Sequence, residues 1–408
     1  MNRLAIVVQR AGVDIVGGSE GYAYQMAQAL SEKYKIDILT TCAKDYLTWS
    51  NSYKQGTESI GKNIDIIRFK NDIERDDYWH ELNRVLEING NCSWYSKLAD
   101  KSSVRENIMQ TPLGFCEEWI QKEGPFSLSL LKYIKENEYK YKKLIFMTYL
   151  YPTTYYGIQQ VAQREKALLI PTFHDEIPAY LPIFQKYRNY THLFLTKTEE
   201  KFATNYIYKE RIKSHQIGFG LEDKYDTIPI NDKNTNEDYI IYAGRLEENK
   251  GLVELYKYFK EFKDKHKSTL KLYTIGSGEL KHANHPDIIH KGFVDEVHKL
   301  QLMKNALAFV HPSAFESLGI VLLEAFMMGA PAIVNNASEV LREHINSSKA
   351  GFCYDNSREF AKALEKIANN TDIDRVQLSE NAREYYLHNY ALDSFKKTLI
   401  DAIEGNIE

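Results

Sequence analysis

Two carboxylates, two cations and a histidine are the residues of this chain best placed, by type and spacing, to do chemistry. Glu324 lies inside the apolar run Ile320-Val321-Leu322-Leu323-Glu324-Ala325-Phe326-Met327-Met328, and Glu316 stands eight positions upstream. A run with apolar residues on every side reads as a buried helix, where an unpaired carboxylate is costly. Something polar must therefore meet Glu324, either a core lysine or arginine or a ligand. The run stops at Gly329 before Pro331, a usual helix ending, so Glu324 sits more than a turn inside and Glu316 falls in the loop before it. At about 1.5 Å rise per residue the carboxylates would be roughly 10 Å apart, too far to share a proton and suited to holding two parts of one extended ligand.

The cations belong to Gly244-Arg245-Leu246-Glu247-Glu248-Asn249-Lys250-Gly251, directly after the strand-like run 239–243. Arg245 as a planar fork and Lys250 as a point charge suit a diphosphate, with an ordinary solvated basic loop as the alternative. Gly276-Ser277-Gly278-Glu279 and Gly292-Phe293-Val294-Asp295 follow two further strands. Small residues there let main chain approach a ligand, such as a nucleobase held by backbone hydrogen bonds against an apolar wall. Gly17-Gly18-Ser19-Glu20-Gly21 precedes the helical stretch 22–30 but comes nine positions after Val8, a poor match to a dinucleotide fingerprint. What remains is a flexible turn leading into a helix N-terminus, whose free amides favour an anion, or a plain structural turn.

Short apolar or β-branched runs supply the framework: 4–8, 36–41, 64–69, 144–148, 168–172 and 192–196 in the first half, and 239–243, 270–275, 288–291, 306–310 and 332–335 in the second. Their alternation with helical patterns predicts an α/β protein with two doubly wound parallel sheets. The polar stretch 223–238 reads as a linker, which gives an N-terminal Rossmann-like domain at 1–222, a second at 223–390, and a terminal segment at 391–408 whose amphipathic helix is expected at the domain junction. Two such sheets facing each other would share a cleft at the carboxyl ends of their strands.

At 408 residues the chain is long enough for two or three domains, and a net charge of −4 gives no whole-chain pull towards nucleic acid. Cys42, Cys92, Cys116 and Cys353 are far apart, which argues against a disulfide scaffold or cysteine zinc site and fits a reduced cytoplasmic compartment. With no apolar stretch of about 18 residues, a soluble or peripheral protein is expected. Lys132, Lys135, Lys140, Lys142 and Lys143 interleave with Tyr133, Tyr139 and Tyr141. That run is either an ordinary charged surface or a dock on the anionic inner face of a membrane carrying a lipid-linked acceptor. His282, His285 and His290, around Pro286, read as solvated loop residues, and Asp372-Ile373-Asp374 does not follow a hydrophobic strand, so no metal site is expected.

The order and spacing of these pieces resemble the retaining family-4 glycosyltransferases of the GT-B fold. The resemblance rests on Gly17-Gly18-Ser19-Glu20, the run 244–251, Gly276-Ser277-Gly278, Gly292-Phe293-Val294, and His311-Pro312-Ser313-Ala314-Phe315-Glu316-Ser317-Leu318-Gly319 through Glu324 to Gly329-Ala330-Pro331. It is strong over 239–352 and looser before. The segments 39–49 and Thr172-Phe173-His174-Asp175-Glu176 look like the subset found in bacterial exopolysaccharide and cell-envelope pathways, cyanobacterial ones included.

The resemblance implies that Glu324 accepts the ribose diol of a sugar nucleotide and that Glu316 holds donor-sugar hydroxyls. Amides of Ser317, Leu318 and Gly319 would meet sugar and phosphate oxygens, and Arg245 and Lys250 would neutralise the leaving diphosphate. Gly17 and Gly18 would approach the same phosphates from the first domain, Gly244, Gly276, Phe293 and Val294 would line the donor, and His174 would lie near its sugar. Leu318 stands where an aromatic residue is common. The implied reaction moves a hexose from UDP-glucose or a relative to a saccharide or lipid-linked saccharide, with no cofactor or metal. A UDP-sugar 2-epimerase of similar architecture and a non-catalytic sugar-binding protein are the alternatives, the latter disfavoured by the diphosphate grip.

Overall fold

The structure, a computed structural model, describes residues 1–12, 15, 18–94, 96–229, 237–281, 283–316, 318–369 and 372–406. Gly17, Ser317, His282 and part of the expected linker, 230–236, lie outside the described residues. The chain divides into two compact units, Met1–Gly218 with Lys396–Glu408, and Phe219–Phe395.

In the first unit β1 (Arg3–Val7), β2 (Lys35–Thr41), β3 (Gly56–Gly61), β4 (Ile64–Phe69), β5 (Lys143–Met147), β6 (Ala167–Ile170), β7 (Thr191–Phe194) and β8 (Ser214–Gln216) form one sheet in the order β3-β4-β2-β1-β5-β6-β7-β8. Only the β3–β4 pair is antiparallel among them. Parallel strands need crossover helices, which cover both faces and explain why Leu4, Ala5, Ile6 and Val7 are all fully buried. The order reverses between β1 and β5.

The second unit repeats the plan. Strands β9 (Tyr239–Ala243), β10 (Lys271–Ile275), β11 (Ile288–Gly292), β12 (Ala308–His311), β13 (Ala332–Asn335) and β14 (Gly351–Tyr354) pair in parallel in the order β11-β10-β9-β12-β13-β14. Alternate residues of β9 feed two apolar clusters: Tyr239, Ile241 and Ala243 pack with Phe309 and Leu322, while Ile240 and Tyr242 pack with Leu252 and Phe259. The order reverses between β9 and β12, and ligands of such sheets bind where the strand order switches.

Several sequence expectations need correction. Strands β3, β8 and β14 were not expected; each sits at a sheet edge, with one neighbour and no need of an apolar run. The runs 144–148, 168–172 and 192–196 stop short of their threonines. Thr148 (φ 65°) and Thr172 (φ 53°) turn left-handed, and Thr196 instead caps the helix Lys197–Phe202 through its Oγ1. From Gly18 on, the glycine-rich stretch is helix rather than turn, since Gly18, Ser19, Glu20 and Gly21 form the start of the helix Gly18–Leu30. The basic aromatic run is not one face: Tyr141 is buried, its hydroxyl 2.8 Å from Asp37 Oδ2, while Tyr139 is exposed. Lys142 and Tyr34 hold Glu404 near the end of the helix Leu392–Glu404. No helix among the described residues is long and apolar enough to cross a membrane.

Candidate functional site

At the switch point of the second sheet, the loop after β9 carries Gly244, Arg245 and Lys250, and the loop after β12 carries Glu316, Leu318 and Gly319. The loop after β9 is tied down before any ligand is considered. Tyr242 donates its hydroxyl to Arg245 O at 2.7 Å, Leu246 N–H reaches Ser277 O at 2.9 Å, and Leu280 N–H returns to Leu246 O at 3.0 Å. Gly276 has φ +132°, and a Cβ there would lie 1.9 Å from Gly244 O. Gly276 is therefore needed to clear the main chain of Gly244, and Gly244, φ +153°, to clear the Tyr242 hydroxyl, simpler reasons than the expected approach to a ligand. Gly276→Ala should lower stability by about 3 kcal/mol, read as a fall in the urea midpoint, because the obstacle is backbone and cannot rotate away.

Lys250 Nζ lies 2.7 Å from Glu316 Oε1, joining the two loops across the switch point. Both groups are mostly buried, with side chains 23% and 16% exposed. His311, at the end of β12, has Nε2 3.8 Å from the same Glu316 oxygen, and its Nδ1 is buried with no partner among the described residues. Burial pushes its pKa down to about 4 against the opposing pull of Glu316, so the ring is neutral near pH 7. Arg245 is the open member, 67% exposed and 3.1 Å from Glu247.

Glu324 is less enclosed than its sequence suggests. The helix Ile320–Met327 buries Leu322, Leu323, Ala325 and Phe326, but Ile320 is exposed and Val321 and Glu324 are half-buried, leaving one edge partly open to solvent. On that edge Lys299, from the helix Glu296–Asn305, places Nζ 2.7 Å from both Glu324 oxygens. Of the two kinds of partner open to Glu324, the fold supplies a lysine. On the loop after β11, Phe293 is 82% exposed, whereas Val294 packs partly onto the core. Leu318 is buried and its carbonyl accepts from His344; Gly319, φ +71°, caps the helix.

Gly18 and His174 lie in the first unit. Gly18 starts its helix in the open, and in the first turn Glu20 pairs with Arg10 while accepting from Gln9 Nε2 at 3.1 Å. That carboxylate answers the positive helix end from within the protein. His174 is exposed on the loop after β6, and the neighbouring residues are anchored. Asp175 accepts Leu98 N–H at 2.8 Å and Tyr180 O–H at 2.6 Å, and Glu176 accepts Tyr149 O–H at 2.8 Å.

Behind the loop, buried Glu199 accepts Phe173 N–H at 2.9 Å and Leu195 N–H at 3.0 Å. Burial raises its pKa to about 7 although these amides pull it down. An acid whose folded pKa exceeds its unfolded value binds more protons when folded, so stability falls as pH rises between the unfolded value near 4.5 and about 7. Glu199→Gln should flatten that part of the melting-temperature profile; an unchanged slope would show that the carboxyl titrates elsewhere.

Sequence reasoning missed Lys299, which no local pattern marks, as well as Arg10, Glu199 and His344. Glu20 and His311 stood inside the quoted motifs but had been given no role.

With this geometry in view, known proteins bear on the chain's kinship. Residues 223–385 match the family described as Glycosyl transferases group 1. That stretch contains Arg245, Lys250, Lys299, His311, Glu316, Glu324 and His344. An uncharacterized glycosyltransferase of Methanocaldococcus jannaschii is 28% identical over 50% of this chain and 48% of its own length. A capsular polysaccharide biosynthesis glycosyltransferase of Staphylococcus aureus, CapM, is 25% identical over 45% of this chain and 51% of its own. The chain thus matches about half the length of these curated relatives. Among solved structures, a sucrose-phosphate synthase from Thermosynechococcus elongatus aligns over 100% of this chain and 99% of its own at TM-score 0.66 and 15% identity. An E. coli structure described as trehalose-6-phosphate bound with UDP-2-fluoro glucose aligns over 99% of both chains at TM-score 0.66 and 11% identity. Likeness at these identities shows the fold, the two-domain GT-B architecture.

Proposed function

We propose that the protein is a retaining glycosyltransferase that moves a hexose from a nucleoside-diphosphate sugar, UDP-glucose foremost, to a saccharide acceptor, free or lipid-linked, in polysaccharide assembly. The observation that carries this reading is the gathering of two cation–carboxylate pairs, Lys250–Glu316 and Lys299–Glu324, with exposed Arg245 around one switch point within the family-matching residues. CapM's description as a capsular polysaccharide enzyme supports the polysaccharide role.

In this reading Glu324 takes the ribose diol, Glu316 the sugar hydroxyls, and Arg245 with Lys250 the diphosphate. The anomeric carbon–phosphate oxygen bond breaks, the acceptor oxygen bonds to that carbon from the same face, and the acceptor proton passes to the departing phosphate. Charge growing on the diphosphate is met by Arg245 and Lys250, and a donor at a developing charge is worth about 3 kcal/mol in comparable sites. Lys250 must leave Glu316 to do this, which frees the carboxylate for the sugar in the same exchange.

A screen of nucleotide-sugar hydrolysis by the purified protein, read by product nucleotide and released sugar, tests the proposal. Release of UDP with glucose from UDP-glucose is expected. Conversion of a UDP-sugar to its 2-epimer without acceptor, or binding without turnover of any sugar nucleotide or acceptor, would overturn it.

A further inference from the structure

Buried His344, in the helix Glu339–Ser348, is committed to two hydrogen bonds. Its Nε2 lies 2.8 Å from Leu318 O and its Nδ1 3.0 Å from the Tyr385 hydroxyl, which comes from the helix Asp372–Asn389. A carbonyl only accepts, so Nε2 carries the proton, Nδ1 is the acceptor, and Tyr385 donates. The tautomer is fixed at both ends, and the direction of the chain runs Tyr385 to His344 to Leu318. The ring is further held by Tyr385 and Tyr390, whose centroids are 5.9 and 5.6 Å away.

The effect falls on the peptide joining Leu318 to Gly319. A trans peptide is planar with its C=O and N–H pointing to opposite sides. With Leu318 O pinned on the imidazole, Gly319 N–H is turned away from His344, at the turn that leads from Glu316 into the helix bearing Glu324.

We propose that His344, backed by Tyr385, is a positioning residue that aims the Gly319 amide at an anionic oxygen of the diphosphate. This rests on the donor-site reading above. The imidazole touches no substrate; its contribution is to remove the reorganisation that an unpinned peptide would undergo on binding. Loss of the pin therefore weakens recognition of the diphosphate and leaves recognition of the nucleoside intact.

The test is calorimetry of the full chain with UDP and with uridine, on wild type, His344→Phe, His344→Gln, Tyr385→Phe and Glu324→Ala, with melting temperatures as the check on folding. His344→Phe keeps a ring and loses both bonds; it should weaken UDP about tenfold and leave uridine within about twofold, a fraction of what a whole oxyanion donor is worth. His344→Gln, whose amide can donate at the Nε2 position, should recover most of that loss. Tyr385→Phe keeps the Leu318 bond but frees the ring, and about a threefold loss for UDP is expected, well within the effect of one neutral hydrogen bond. Should His344→Phe fail to fold, Tyr385→Phe with His344→Gln decides the matter. Wild-type UDP affinity in the His344 and Tyr385 variants alongside a large loss in Glu324→Ala would overturn this inference and leave the donor site standing. Equal losses for UDP and uridine would also overturn it. Unchanged UDP affinity in Glu324→Ala would remove the donor-site reading and this inference together.

Discussion

Replacing Glu324 with alanine should lower UDP affinity by about 100-fold or more in calorimetry. Two hydrogen bonds from a diol to a carboxylate contribute about 1.5–3 kcal/mol each, and tenfold corresponds to about 1.4 kcal/mol. Lys299 decides whether that estimate measures binding or damage. Its Nζ touches both Glu324 oxygens but the side chain remains 24% exposed, so after the substitution the ammonium reaches water and the fold is spared. Glu324→Gln, which keeps one good acceptor and loses the charge, should fall between, at about tenfold. Lys299→Ala, in contrast, leaves a carboxylate with 14% exposure and no partner, and should lower the melting temperature more than it lowers affinity. If Glu324→Ala binds UDP as wild type does, Glu324 is simply the anchor of Lys299 and the nucleotide assignment is lost.

The second large effect is expected at Lys250. Lys250→Ala should reduce turnover by about 10²–10³, the effect of one donor that meets charge developing on a leaving group. On the proposed reading Lys250 exchanges Glu316 for the diphosphate, and the pair given up is a cost that the new contact offsets. With Lys250 gone, Glu316 faces His311 alone. Since Lys250 lowers and Glu316 raises the His311 pKa, its removal shifts that pKa upward, and the variant's acid limb should move to higher pH. Arg245→Ala is expected to act on binding: its 3.1 Å pair with Glu247 is exposed and worth at most about 1 kcal/mol, so the guanidinium is at liberty to serve a ligand. UDP affinity should then drop with little change in stability. A Lys250→Ala enzyme with wild-type turnover would sever the link between this lysine and the departing diphosphate.

Local chemistry made the two-sheet plan legible. Strands such as 239–243 and 332–335 were readable because parallel strands buried on both faces must be apolar throughout, whatever they pack against. The edge strands β3, β8 and β14 escaped for the complementary reason. Thr148 and Thr172 misled in another way: β-branched residues favour strands, and only the turns they enter show that the chain leaves the sheet left-handed there.

For the candidate site, the chain alone determined that a carboxylate at 324 needs a polar partner and that Arg245 and Lys250 stand at a strand end, since these follow from residue type and a fixed rise per residue. The partners were decided by tertiary structure. Lys299 is 25 positions from Glu324 and Lys250 is 66 from Glu316, and only the pairing order β10-β9-β12 brings their helices and loops together. The same holds for His344, 26 positions from Leu318 and 41 from Tyr385. Helical and strand periodicity act over a few residues, whereas a hydrogen bond across a sheet's switch point depends on which strands became neighbours, and that is settled only when the whole unit packs.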